Sequence, residues 1–351
     1  MCPMTSQMKF RDLNLIERKE KIGLKFEYDE ECLNLMIENY VMPLCLPLGV
    51  VTEIIINEQT RTVPLAIEEP SVIAAISNAA RLLSFQTESN DRNIIVGLIY
   101  LITCPSLITN DLSYWCSRVN QEICPNMVAR GGGLLNIIHR VCNEHHVLEF
   151  HLDVCDAMGA NHCNDLLEKF NTLYLNSKAE ICILSNKSPD RWAEASFNIP
   201  CIDLAYKGVD GIALGQKIIM ANNWAKLDPM RASSHNKGIM NAIEGIAVAC
   251  GQDWRAISAA NDINDVRTVY RITNGVFSGS LRLNIPVGVV GGVTKLRQYS
   301  KCLNDILKVD SSKDLAQVMV ACGLAANFSA LRAMLSEGIV SGHKLLCERM
   351  I

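Results

Sequence analysis

The chain has 351 residues, with 33 basic against 37 acidic side chains and a formal charge of −4. No block of lysine or arginine concentrates charge, which argues against nucleic acid as a partner. Nearly half of the residues are hydrophobic, enough for a large core, and the length suggests about two domains at roughly 150 residues each. The longest apolar run, IIVGLIYLITC at 94–104, falls short of the ~20 residues that span a bilayer. The opening MCPMTSQMKFRD has no apolar signal core, so a cytoplasmic protein with no membrane partner is expected. The 15 cysteines are odd in number and scattered, with no CxxC. They read as small buried hydrophobes kept reduced, not as a disulfide framework or a zinc ribbon.

In chain order, residues 11–40 read as an amphipathic helix with ERKEK on its wet side. A strand region at 46–67 leads into EEPSVIAAISNAARLLS, a helix with Pro70 in its first turn. The period then changes. Residues 93–103 read as strand and 105–123 as helix. Strands at 134–142 and 146–155 are joined by a tight Asn-Glu-His connection; a helix at 162–176 and a strand at 178–185 follow. This β-α-β-β-α-β order is the split βαβ pattern. It predicts a compact unit, 93–185, inserted in a larger domain formed by 1–92 and 186–335. From Asn186 the chain reads as mostly helical, interrupted by one strand and turn, IPVGVVGGVTK at 285–295. The expected fold class is α+β: a mostly helical large domain with an inserted ferredoxin-like βαββαβ unit.

Four windows carry chemistry. In SSHNKGIMNAIEGIAVACGQD (233–253), Ile239, Ile243, Ile246 and Cys250 recur at helical spacing and Gly251 is a stop signal. Lys237 then stands at the helix mouth, where the macrodipole disfavours a cation; it is either a solvated lysine or one held for chemistry. In VCDAMGANHCNDLLEKF (154–170) a strand passes through a tight turn into a helix whose N-terminal N–H groups suit a phosphate, with Gly159 allowing close approach. A plain tight connection explains that window equally, and no GxGxxG offers a Rossmann site. EEPS (68–71) sets two carboxylates before a buried helix. HRVCNEHHVLEFHLDVC (139–155) is rich in His and Cys, but strand alternation puts Leu148, Phe150, Leu152 and Val154 on one face and His151 on the other. The remaining candidates lack a four-ligand spacing, so no metal is expected. In SEGIVSGHKLLCERMI (336–351), His343 is a candidate proton donor, because the unperturbed histidine pKa of about 6.5 lies near working pH.

Together these windows resemble the 3-hydroxy-3-methylglutaryl-coenzyme A (HMG-CoA) reductase family in its second, bacterial-type class. The matching segments are IENYVMPLCLPLGVV, VPLAIEEPSVIAAISNAARL, VARGGGL, DAMGAN, DPMRASSHNKGIMN, GQDWRA, PVGVVGGVTK, GLAANFSALRA and SEGIVSGH, in the family's order. The resemblance implies that the large domain binds HMG-CoA or mevalonate and CoA, and that the inserted unit binds NADH or NADPH, with no metal. Two hydrides would convert the thioester to mevalonate, or the reverse, within isoprenoid metabolism. It makes Glu69, Lys237, Asp253 and His343 catalytic: Lys237 faces the thioester oxygen, Glu69 protonates the aldehyde, Asp253 sets both charge states, and His343 protonates the CoA thiolate. Arg231, Asn241 and Ser71 would bind substrate; Asn136, Asp156, Met158, Gly159 and Asn161 would bind cofactor. Asn136 stands where some members carry an aspartate that reads the ribose, which leaves NAD against NADP open. Ala326, Val293 and Met42 depart from the family pattern. Residues 336–351 form a short tail where relatives carry a flap domain, so a weakened paralogue that binds CoA or nucleotide is the alternative.

Lys237 and Asp253 are sixteen residues apart, about 24 Å along an unbroken helix. Either the helix breaks, at Gly245 for instance, or two subunits share each site. The family's dimer-interface sites favour the second, and with it a homodimer or an assembly of dimers in which Glu69, Lys237 and Asp253 converge only across the interface.

Overall fold

The computed structural model describes residues 10–23, 30–104, 112–336 and Gly338. Helix α1 (Leu15–Ile22) opens on a reciprocal Asn14–Glu17 capping box and closes at Gly23, whose φ of 72° is left-handed and whose N–H reaches the Glu20 and Lys19 carbonyls. The single helix expected over 11–40 therefore stops at Gly23, and only the short α2 (Glu30–Asn34) follows.

Strands β1 (Leu48–Ile56) and β2 (Gln59–Ala66) form a hairpin, followed by α3 (Val72–Ala80) and β3 (Ser84–Ser89), which runs parallel to β1. The chain then builds a separate sheet from β4 (Ile94–Leu101), β5 (Gly133–Cys142), β6 (His145–Asp153) and β7 (Ile181–Ser185), with α4 (Leu112–Glu122), α5 (Pro125–Val128) and α6 (Ala160–Tyr174) between strands. The order β5-β6-β4-β7, antiparallel throughout, is the ferredoxin-like arrangement. Ile95, Ile99, Leu148, Phe150, Leu166 and Phe170 form its own core. Of the helix expected over 105–123, residues 105–111 lie outside the described residues.

The chain leaves and returns to the large sheet at one place, because β3 pairs antiparallel with β8 (Trp192–Pro200). After β8 come α7 (Cys201–Leu204), α8 (Gly211–Leu227), α9 (Pro229–Ala249), α10 (Trp254–Ala260), β9 (Thr268–Thr273), β10 (Val276–Asn284), α11 (Arg297–Lys301) and α12 (Ser312–Met334). The large sheet runs β2-β1-β3-β8-β10-β9. After Asn186 the described residues are mostly helical, as expected, but three strands stand among the helices, β8, β9 and β10; β8 buries Ala193, Ala195, Phe197 and Ile199 in strict alternation, the mark of a strand with one face in the core. The strand expected at 285–295 does not form: the segment is irregular backbone with one isolated bridge, Val290 to Ala157, and then a 3-10 turn over Gly292–Lys295.

Helix α12 is long and apolar enough to cross a membrane, but most of it is buried inside the fold. It packs on α9, α3 and β8. Where α12 meets α9, Gly323 lies so close that an added Cβ would sit 3.1 Å from Ile239 and Ile243.

One buried polar network crosses this core. His235 Nε2 lies 2.7 Å from Thr268 Oγ1 and 3.2 Å from Asn327 Nδ2; Thr268 donates to Asn222 and Tyr270 donates to Asn327. Burial, then the charges of Arg231 and Lys226, pull the His235 pKa from 6.5 to about 4. Between those values the unfolded chain binds a proton that the native imidazole does not, so stability rises with pH across the window and is lost as pH falls from 6.5 towards 4. The expected loss from this group is about 3 kcal/mol. Denaturant titrations at several pH values check it: His235→Gln should flatten the slope between pH 4 and 6.5, and an unchanged slope would contradict the assignment.

Candidate active site

Helix α9 starts with Pro229 at its first position and Asp228 as N-cap, whose carboxylate accepts from the N–H groups of Met230 (2.9 Å) and Arg231 (3.4 Å). Lys237 is thus the ninth residue of the helix, not its mouth, and lies beyond the turn in which the macrodipole acts. Ile239, Ile243 and Ile246 face the core, while Lys237, Asn241, Glu244 and Val248, at helical spacing, line an open cleft of about 550 Å³. Gly245 brings α9 against β2: an added Cβ would sit 3.3 Å from Leu65 Cδ2. That approach sets the segment after β2 beside the cleft.

Glu69 lies on that segment. Its Oε2 accepts from Lys237 Nζ at 2.5 Å and from Asn241 Nδ2 at 3.2 Å. Ser71, held left-handed at φ 80°, ends the turn as N-cap of α3, so Pro70 precedes the helix and is not in its first turn. A non-glycine residue held at positive φ is backbone strain of the kind found at functional sites. The Lys237 and Glu69 side chains are 57% and 35% exposed; such a pair contributes at most about 1 kcal/mol to stability. Glu69 and Lys237 meet within one chain, which overturns the expectation that they converge only between subunits.

Asp253 does not join them. It is the N-cap of α10, accepting from the N–H groups of Arg255 and Ala256, and its Oδ1 lies 3.2 Å from Arg255 Nε. From Lys237 to the end of α9 the helix runs twelve more residues, about 18 Å, unbroken at Gly245. Arg231 stacks its guanidinium 5.9 Å over Trp224, outside the cleft lining, and burial lowers its pKa. His343 lies outside the described residues. Among the described residues lining the cleft, Lys237 is the one cation against Glu68, Glu69, Glu244, Asp262 and Asp265. Glu244 accepts from Ser258 Oγ at 2.6 Å. Sequence reasoning missed Glu244, although its position seven residues after Lys237 placed it on the same helix face.

On the ferredoxin-like unit, Gly159 is the N-cap of α6 at φ 95°, and no side chain caps that helix. An added Cβ there would lie 2.6 Å from Val154 Cγ1. The first N–H groups of a fifteen-residue helix are therefore presented for an anion, with Asn161 exposed beside them. Asn136 is exposed on β5, opposite His151. The Oδ1 of Asp156 accepts from Ser312 N (2.9 Å) and Oγ (3.0 Å), fastening this turn to the start of α12. The His-rich hairpin forms a stacked pair, His139 Nε2 to His146 Nδ1 at 3.0 Å. No cluster of three His, Cys, Asp or Glu side chains suited to a metal forms among the described residues.

The family model for hydroxymethylglutaryl-coenzyme A reductase matches residues 11–347. On this fold, that match defines an NAD(P)-dependent oxidoreductase. The chain is 37% identical to 3-hydroxy-3-methylglutaryl-coenzyme A reductase of Archaeoglobus fulgidus over 90% of its own length and 76% of the relative's. It is 30% identical to a probable 3-hydroxy-3-methylglutaryl-coenzyme A reductase of Borreliella burgdorferi, over 98% and 86%. The class II enzyme of Streptococcus pneumoniae, solved bound to NADPH in open conformations, superposes with a TM-score of 0.84 at 29% identity, over 93% of this chain and 99% of that one. A second structure of the S. pneumoniae enzyme gives 0.85 at 30% identity, over 96% and 89%. The chain belongs to the hydroxymethylglutaryl-coenzyme A reductase family.

Proposed function

We propose that the protein converts HMG-CoA to mevalonate and CoA in two hydride steps, or runs the reverse, in the cytoplasm. The observation that carries this reading is the Glu69–Lys237–Asn241 constellation on the cleft, in one chain and open to solvent. Lys237 donates to the thioester oxygen as negative charge develops there. The thiohemiacetal then collapses, and His343 protonates the departing CoA thiolate. Glu69 protonates the aldehyde oxygen in the second reduction, drawing on its contact with Lys237. Asn241 positions Glu69, and Ser71 would meet the substrate from the turn before α3. A nicotinamide nucleotide supplies each hydride. Gly159 and Asn161 at the uncapped start of α6, together with Met158 and Asn136, would hold it. The ferredoxin-like unit is, in this reading, the cofactor domain.

We infer a homodimer from the same site. The substrate is an anion, and among the described residues five carboxylates and one lysine line the cleft, so cations from a second copy would balance its charge. Met220, Trp224, Leu227 and Met230 are exposed along the end of α8 and the start of α9, an apolar patch that a second copy would cover. Arg231 stands on its rim and would reach the partner's cleft to pair with the substrate carboxylate. Asp253 would complete the partner's site likewise.

The test is oxidation of NADH and of NADPH by purified protein with HMG-CoA, alongside sedimentation. HMG-CoA-dependent oxidation by a dimer is expected. Nucleotide or CoA binding without turnover would instead describe a binding protein.

A further inference from the structure

We propose that Arg191, a residue just before β8, is a positioning residue that locks the cofactor turn to the substrate side of the molecule. This rests on the reading that residues 156–161 hold a nicotinamide nucleotide.

Arg191 is 3% exposed, which is rare for an arginine without compensating partners. Its guanidinium donates to backbone carbonyls from two distant segments. Nη1 reaches the Met158 carbonyl at 2.7 Å, and Nη2 donates to the carbonyls of Ala157 (3.4 Å) and Val287. Its own carbonyl accepts from Ile285 N–H at 2.8 Å. Burial draws its pKa down to about 10, opposed by the nearby charges of Asp153 and Asp156, so the group stays charged at neutral pH.

The two clamped segments touch backbone to backbone. Val289 N–H donates to the Asp156 carbonyl at 2.9 Å, and an added Cβ at Gly288 would fall 2.2 Å from the Met158 nitrogen. From Gly288 the path continues: its N–H donates to Gln252 Oε1 at 2.9 Å, and Gln252 precedes Asp253 in the turn that ends α9. The Met158–Gly159 turn, the 285–290 segment and the turn before α10 are therefore one hydrogen-bonded body with Arg191 at its centre. A planar fork with several donors can hold three carbonyls at fixed spacing; a single ammonium cannot. Hydride transfer depends on the separation of donor and acceptor, and a misplacement of about 1 Å costs on the order of 10²-fold in rate.

Arg191→Lys keeps the charge and removes the fork. In the folded variant, Kd for NADPH is expected to rise about tenfold and kcat to fall on the order of 10²-fold, while KM for HMG-CoA stays within about twofold. A folded variant with wild-type Kd and kcat overturns the proposal. So does an equal rise in the KM of both substrates, the sign of general loosening. Should the variant not fold, amide hydrogen exchange on the wild type decides. NADPH is expected to protect 285–290 and 250–253 together with 156–161, and protection confined to 156–161 overturns the lock. Titration of wild type with NADH and NADPH comes first. Absence of binding there removes the cofactor reading itself, and the lock with it, before any variant is measured.

Discussion

Lys237→Met is expected to lower kcat by about 10²- to 10³-fold, with HMG-CoA and with added mevaldehyde alike. Each reduction places negative charge on an oxygen, and removing one well-placed donor to such an oxygen costs about 2.7–4 kcal/mol of transition-state stabilisation. Both half-reactions use the same lysine, so they should fall together. Stability should hardly change, because the Lys237–Glu69 pair is open to solvent and such pairs contribute about 0–1 kcal/mol. Steady-state kinetics with both substrates, beside a thermal melt, separate the effects. Turnover within about threefold of wild type, far inside the loss that an oxyanion donor implies, would remove Lys237 from the mechanism. A large loss confined to the thioester would restrict it to the first step.

Glu69→Gln is the second large effect. The amide keeps the size of the side chain and an oxygen for Lys237 Nζ and Asn241 Nδ2, but it cannot deliver a proton. Loss of a general acid costs about 10²- to 10⁴-fold, and here the mevaldehyde reaction should show it fully. Because Glu69 and Lys237 are in contact, the two substitutions should not be additive: the double variant should be little slower than the slower single one. Additive losses would mean that the residues act on separate events, which the 2.5 Å contact argues against. Wild-type reduction of mevaldehyde by Glu69→Gln would exclude Glu69 as the proton donor.

The ferredoxin-like unit was legible because its periods switch cleanly between strand and helix, and its inward residues Leu148, Phe150 and Leu152 alternate as a half-buried strand must. The alternation in WAEASFNIP was equally present at β8, but the inward residues Ala193 and Ala195 are too small to announce a strand by hydrophobicity. The true start of α9 was also written in the chain, as Asp228-Pro229, a cap followed by a first-turn proline; the apolar run from Ile239 drew the boundary too late. Of the candidate site, Glu69, Lys237 and Asn241 came through resemblance, and the structure brings all three together. Their meeting in one chain was not legible, because it depends on β2 packing at Gly245. Arg191 left no signal: its burial is made acceptable by carbonyls from residues 157, 158 and 287, which only the finished fold assembles. Asp156 carries a tie that the motif did not announce, its carboxylate accepting from the start of α12.

The central claim is that this one cleft carries a thioester through both reductions to an alcohol. The most direct measurement is stoichiometry: purified protein, limiting HMG-CoA and excess NADPH or NADH, with oxidised nucleotide, free CoA thiol and mevalonate all counted at completion. The account predicts two nucleotides oxidised, one thiol released and one mevalonate formed for each HMG-CoA consumed. One nucleotide per thiol with aldehyde accumulating, or thiol release without any oxidation, would contradict it.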